Sequence, residues 1–251
     1  MGYIKIDQSK LTKESALKLK ELCPFNAFDY EDAYLSINAA CKVCKICIKN
    51  GPKGICEFIE EPKILIDKSL YKGITVYIEQ RYNQAHPVAW ELVGEALELA
   101  KITKESVYCV VIGDDIEHIA EEALSYGVDK VFAYQDDDFA QFNVEIYTNV
   151  LEQFFKDHQV NIILFGGTTE GRSFAPRVAA RLKTGLTADC TMLDITKEGD
   201  LLQIRPAFGG NIMAKINTPN NRPQMATIRY KMFDAAKKVE PHGEIIENQP
   251  N

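Results

Sequence analysis

An α/β architecture in two parts is predicted for this chain, on three observations. Residues 1–65 gather five cysteines among brief strand-like and helix-like runs, the pattern of a small α+β unit. From about Lys72, short apolar runs alternate with longer segments whose apolar residues recur at helical spacing, as happens when a parallel sheet is covered on both faces. Beyond Leu186 the helical period gives way to strand-like runs separated by turn residues.

Each element has its own signal. Residues 3–6 read as a strand, and Leu11, Leu17, Leu19 and Leu22 lie in a helix opened by Thr12, with Glu14 and Ser15 in its first turn. Residues 55–59 return as a strand, and Glu60, Glu61 and Pro62 mark the end of the unit. A core this small is marginal alone, so a bound metal group is expected to supply much of its folding free energy. The second unit, 66–236, opens with a strand over 74–78; Pro87 then suits the first turn of a helix carrying Val88, Leu92, Ala96 and Leu99 on one face. Residues 107–112 are almost wholly apolar, as a strand buried on both sides should be. A helix over 116–126 stops at Gly127, 131–134 form a strand, and Asp136, Asp137 and Asp138 read as a solvated turn rather than a metal site. A helix over 144–157 and a strand over 162–165 complete the repeat. Strands over 186–195 and 201–207 are joined through Glu198, Gly199 and Asp200, and two more cover 212–216 and 225–230. Residues 237–251 are polar, contain Pro241, Gly243 and Pro250, and read as a linker.

The cysteines carry the most chemistry. Cys41, Cys44 and Cys47 form a C-x2-C-x2-C run, and Cys23 is followed by Pro24. In the bacterial ferredoxin pattern C-x2-C-x2-C-x3-C-P, the Cys of the Cys-Pro step completes the cluster whose other three ligands lie in the opposite half. One Cys-Pro before one triple is therefore what a two-cluster unit leaves when it keeps only its second cluster. Residues 1–65 are expected to be ferredoxin-like, with one [4Fe-4S] cluster on Cys23, Cys41, Cys44 and Cys47. The alternatives are zinc, whose usual sites pair two separated C-x2–4-C hairpins, and a disulfide. Cys56 lies nine positions beyond Cys47 and reads as a non-ligand; Cys109 and Cys190 sit in apolar runs and read as core.

The other informative stretch is Gly166-Gly167-Thr168-Thr169-Glu170-Gly171-Arg172, between a strand and a helix in a Rossmann-like unit. Such a turn aims backbone N–H groups and a helix dipole above the sheet, where ligands bind in open α/β folds. It lacks the Gly-Lys-Ser/Thr ending of a phosphate loop and is not G-x-G-x-x-G, so a plain tight turn is the competing reading. Arg205 and Pro206 precede Gly209, Gly210 and Asn211, which puts a cation beside flexible backbone. The net charge of −7 argues against a general nucleic-acid binder. No apolar run reaches the ~20 residues of a membrane span, and the first 22 residues lack a secretory signal. With its thiol usage, the chain is expected to be cytoplasmic.

Several ordered motifs together carry a resemblance. Gly166 to Arg172, Ala175-Pro176-Arg177-Val178-Ala179-Ala180-Arg181-Leu182, Gly185-Leu186, Asp189, the run Arg205 to Asn211, and Arg222-Pro223-Gln224-Met225-Ala226-Thr227 resemble the N-terminal domain of the electron-transferring flavoprotein alpha subunit. An N-terminal ferredoxin-like extension points to the clostridial, electron-bifurcating members. The resemblance implies a scaffold paired with a beta subunit, with Gly167, Thr168, Gly171, Arg172, Arg205, Gly209, Gly210 and Asn211 lying over an FAD held mainly by that partner. It also implies a second FAD in a following domain, absent after Asn251, to which residues 237–251 would lead. NADH would reach the beta subunit, and electrons would pass to ferredoxin and to a flavin-dependent dehydrogenase of the lactate or acyl-CoA type. The rivals are a nucleotide-binding Fe-S enzyme, such as an ATP-dependent sulfur transferase, and a docking scaffold stapled by zinc.

Overall fold

The computed structural model describes residues 2–60 and 66–249, so Glu61 and Pro62 lie outside the described residues. The chain divides into two compact units, 1–65 and 66–251. The first runs β1 (Gly2–Ile6), α1 (Lys13–Leu22), β2 (Phe28–Glu31), β3 (Tyr34–Ile37), α2 (Ile46–Lys49) and β4 (Cys56–Glu60). β1 pairs antiparallel with β4, Ile4 facing Phe58. β2 and β3 form a separate hairpin whose turn holds Asp32 and Ala33 at positive φ. Thr12 caps α1 reciprocally: Ser15 N donates to Thr12 Oγ1 at 3.2 Å and Thr12 N to Ser15 Oγ at 2.9 Å. Ala16 and Leu19 form the buried stripe of α1 and join Ile4, Phe28, Leu35 and Ile55 in one small core.

The second unit runs β5 (Ile74–Ile78), the ribbon β6 (Gln80–Arg81) and β7 (Gln84–Ala85), α3 (Val88–Thr103), β8 (Val107–Gly113), α4 (Glu117–Leu124), β9 (Lys130–Gln135), α5 (Val144–His158), β10 (Ile162–Gly166), α6 (Thr169–Arg181), β11 (Leu186–Cys190), β12 (Met192–Ile195), β13 (Leu201–Ala207), β14 (Ile212–Ile216), β15 (Gln224–Ile228) and β16 (Glu244–Asn248). Seven strands form a parallel, Rossmann-like sheet in the order β11-β15-β10-β5-β8-β9-β16. Alternate residues of one strand feed opposite cores. Ile74, Val76 and Ile78 pack with α3 and α4, while Tyr77 packs with α5 and α6. β5, β10 and β15 are buried end to end, which is why apolar residues dominate β5 and β10 without alternation. From β5 the chain winds one way through β8 and β9; from β10 it winds the other way through β15 and β11. The topological switch point lies between β5 and β10.

Two expectations are corrected. Residues 186–195 are not one strand: the β11–β15 register shifts between Thr187 and Cys190, Asp189 sits at φ 59, and the chain leaves the parallel sheet for the antiparallel sheet β12-β13-β14. A bulge here re-aims the strand. Residues 237–251 are not merely a connecting segment, because β16 pairs parallel with β9, Ile245 beside Val131. Backbone bonds guide it there, from Ala236 N to Trp90 O at 3.0 Å and from Val239 N to Ser125 O at 2.7 Å. Among the described residues, no helix is long and apolar enough to cross a membrane.

Candidate functional site

The four cysteines singled out in the sequence line a single hollow in the first unit, walled also by Ile4, Phe25, Phe28 and Ile46. α1 ends at Cys23, whose sulfur accepts from Ala27 N at 3.4 Å. Cys41 sulfur accepts from Val43 N at 3.5 Å. Val43 and Lys45 take positive φ, 52 and 63, which coils the cysteine loop tightly before α2 begins. Cys44 is exposed and Cys47 buried. Burial raises the Cys47 thiol, and a hydrogen bond from Cys56 opposes the rise. Burial first, then Cys47, push the Cys56 thiol up to about 12. Cys56 therefore belongs to the same buried cluster although it does not line the hollow.

Among the described residues, no group of three or more His, Cys, Asp or Glu side chains is arranged to hold a single metal ion. A four-iron cluster asks for something different, since each thiolate binds its own iron and the sulfurs stand around a filled centre. Four thiols border one hollow, and two of them accept backbone N–H groups.

The glycine-rich loop lies at the carboxyl edge of β10, beside the switch point. Its glycines are required by close packing. A Cβ on Gly171 would stand 1.9 Å from Gly166 O, and one on Gly167 2.7 Å from Ile228 O. Thr168 caps α6, accepting from Gly171 N at 3.0 Å, and its hydroxyl donates to Glu79, just beyond β5. Tyr77 donates to Glu170 at 2.9 Å. Burial and then the charge of Glu79 push the Glu170 carboxyl up to about 7, against the Tyr77 hydrogen bond and Arg81. The crevice where an open α/β sheet would place a phosphate thus holds two carboxyl groups of the chain itself. Glu79 and Glu170 were not singled out in the sequence; the signal was an acid ending the apolar run 74–78.

The two arginines converge on the β11 bulge. Arg172 pairs with Asp189 at 2.8 Å, and Arg205 acts on the adjacent Cys190, opposing the rise to about 12 that burial gives its thiol. Gly209, Gly210 and Asn211 lie elsewhere, on the exposed turn from β13 to β14 beside Phe208, which is 83% exposed. There the glycines meet φ of 71 and 94 rather than crowding. Among the described residues, no hydrogen bond or ion pair joins that turn to the residues from Gly167 to Arg172.

Residues 74–249 match the family described as the electron transfer flavoprotein domain. The chain belongs to that family. This electron transfer flavoprotein chain is 51% identical over 246 residues to the "Lactate dehydrogenase (NAD(+),ferredoxin) subunit LctC" of Acetobacterium woodii, a match covering 98% of the chain and 59% of the relative. It is 41% identical over 191 residues to an electron transfer flavoprotein subunit alpha of Megasphaera elsdenii, covering 74% of the chain and 56% of that protein. It is 43% identical over 180 residues to protein FixB of Azorhizobium caulinodans, covering 70% and 49%. The chain therefore spans about half to three fifths of the length of these curated relatives. β16 falls inside the matched family domain, consistent with its place in the sheet.

Proposed function

We propose that this chain is the alpha-subunit portion of an electron-bifurcating electron transfer flavoprotein, with a ferredoxin-like domain over 1–65 holding one [4Fe-4S] cluster on Cys23, Cys41, Cys44 and Cys47. The observation that carries this reading is that all four thiols belong to the lining of one hollow, in a unit preceding the flavoprotein domain. The match to LctC covers 98% of the chain and so runs through the cysteine unit, and that relative's name includes both NAD(+) and ferredoxin. The partners are a beta subunit that takes NADH, a dehydrogenase of the lactate type, and ferredoxin. Residues 66–236, with β16 completing their sheet, act as the scaffold domain of the subunit. The setting is cytoplasmic.

When bound, the cluster supplies one-electron storage between flavin and ferredoxin. The chain's own residues position it: Cys23 from the end of α1, Cys41 and Cys44 from the coiled loop, Cys47 from α2. Ala27 and Val43 N–H groups stabilise thiolate charge at two of the sulfurs. The shared FAD of the beta subunit is approached by Arg172 and Arg205, with Gly167, Thr168 and Gly171 shaping the loop and Gly209, Gly210 and Asn211 the second turn. A cation near a reduced flavin stabilises its anionic form. The test is anaerobic co-purification with the beta subunit and assay of NADH-driven ferredoxin reduction in the presence and absence of the dehydrogenase's substrate. Ferredoxin reduction that requires the second acceptor supports bifurcation, and reduction indifferent to it contradicts it. ATP-dependent turnover by the isolated chain would favour the sulfur-transferase alternative.

A further inference from the structure

We propose that the lysine-rich face around Cys44 is the docking surface for a small acidic one-electron carrier. This rests on the reading of the cysteine unit as an electron-carrying domain. From residue 33 to residue 56 the sequence holds Lys42, Lys45, Lys49 and Lys53 and not one Asp or Glu, in a chain whose net charge is −7. Lys42 and Lys45 line the hollow itself. Lys42, Lys49 and Lys53 are exposed, as is Cys44. Among the described residues none of these lysines is in an ion pair, whereas Lys10, Lys68, Lys101, Lys130, Lys156 and Lys238 all are. The Lys45 ammonium lies over the Phe58 ring, 3.5 Å from its centroid, which holds the cation in place without neutralising it.

The chemistry selects the occupant. Lysines are strongly hydrated point charges and are depleted from the dry centres of permanent interfaces. Lys42 and Lys45, on the same hollow as the half-exposed Phe25 at 42%, suit a weak encounter steered by charge. Nucleic acid would need a basic stripe well beyond four lysines on an acidic chain. A carrier with an acidic surface meets the sign of these charges.

The experiment uses the full chain, purified anaerobically, and a fluorescently labelled acidic two-cluster ferredoxin as the probe. Its Kd is measured from about 20 to about 300 mM salt, a range over which the screening length falls severalfold. Wild type is expected to bind more weakly as salt rises, and the double substitution Lys42→Glu, Lys49→Glu to weaken binding at low salt by at least about tenfold. Lys13→Glu makes a charge change of the same sign at the far end of α1, about 15 Å along the helix from Cys23, and should change Kd by less than about twofold. Carbodiimide coupling should join ferredoxin carboxylates to Lys42 or Lys49. Salt-independent binding, or equal weakening by Lys13→Glu, overturns the docking face. The cluster's EPR signal is recorded on the same samples: a chain without a cluster overturns the underlying reading, while a chain with one and unaltered binding in the double variant overturns the docking face alone.

Discussion

The Thr168 hydroxyl donates to Glu79 while accepting the Gly171 N–H at 3.0 Å, so one side chain ties the end of β5 to the first turn of α6. The positive end of the helix dipole is thereby turned toward a carboxylate of the same chain. The loop's likeness to a phosphate cradle is a matter of sequence, and its packing serves the sheet.

Glu170 makes this crevice pH-sensitive. Its carboxyl is raised from 4.5 to about 7 by burial first and by Glu79 second. A raised folded-state value means the protonated form is the one favoured by folding, so the contribution is fully present below about pH 4.5 and is lost as pH rises through about 7. Glu170→Gln should abolish this slope while retaining an acceptor for Tyr77. Thermal unfolding at pH 5 and pH 8 should show wild type losing about 2 kcal/mol more than the variant over that interval, the figure being reduced for partial solvent screening. Parallel curves would remove the carboxyl pair as the cause.

Gly171→Ala should destabilise the second unit by about 2–3 kcal/mol. The new Cβ meets the Gly166 carbonyl oxygen at 1.9 Å, a backbone atom inside the sheet's edge. The helix-propensity gain of Ala over Gly, about 1 kcal/mol, is too small to offset this. Chemical denaturation of the variant measures the balance, and unchanged stability would mean that α6 shifts freely.

Asp200 accepts from Arg222 at 2.6 Å and from Lys68 at 2.7 Å, with the Arg222 and Asp200 side chains only 2% and 4% exposed. Asp200→Asn leaves a buried guanidinium without its counter-charge and should cost about 3–5 kcal/mol. Denaturant midpoints of Asp200→Asn and of the exposed-side variant Lys68→Met separate the two contacts, the second costing less than about 1 kcal/mol.

Arg205→Ala tests the flavin-facing proposal in the assembled complex. Loss of the cation should lower the potential of the shared FAD with little change in fold. An unchanged potential would leave Arg205 a residue of the β13–β14 sheet only.

The parallel sheet was legible because its strands are buried on both faces and punctuated by strong helix signals, as between residues 74–78 and Pro87. Strand β16 was not legible. Glu244, Glu247 and Asn248 lie on an edge strand with one neighbour, so the sequence there stays polar, and the bonds that guide it are backbone bonds to Trp90 and Ser125. The β2–β3 hairpin escaped for a related reason: Asp29, Glu31 and Ser36 mask a four-residue pairing whose only buried side chains are Phe28 and Leu35. The four cysteines stood out by spacing alone, whereas the contact of Cys56 with Cys47 depends on β4 folding back beside α2. Glu79 and Glu170, far apart in sequence, meet only through the β5–β10 adjacency.

The most direct test of the central claim is the iron and acid-labile sulfide content of the full chain, purified without oxygen, alongside its single-cysteine variants. About four irons and about four sulfides per chain are expected, with a reduced-state EPR signal. Those values should persist in Cys56→Ser and be lost or lowered in Cys23→Ser, Cys41→Ser, Cys44→Ser and Cys47→Ser. One zinc and no sulfide, or a cluster that survives Cys23→Ser and disappears with Cys56→Ser, would contradict it.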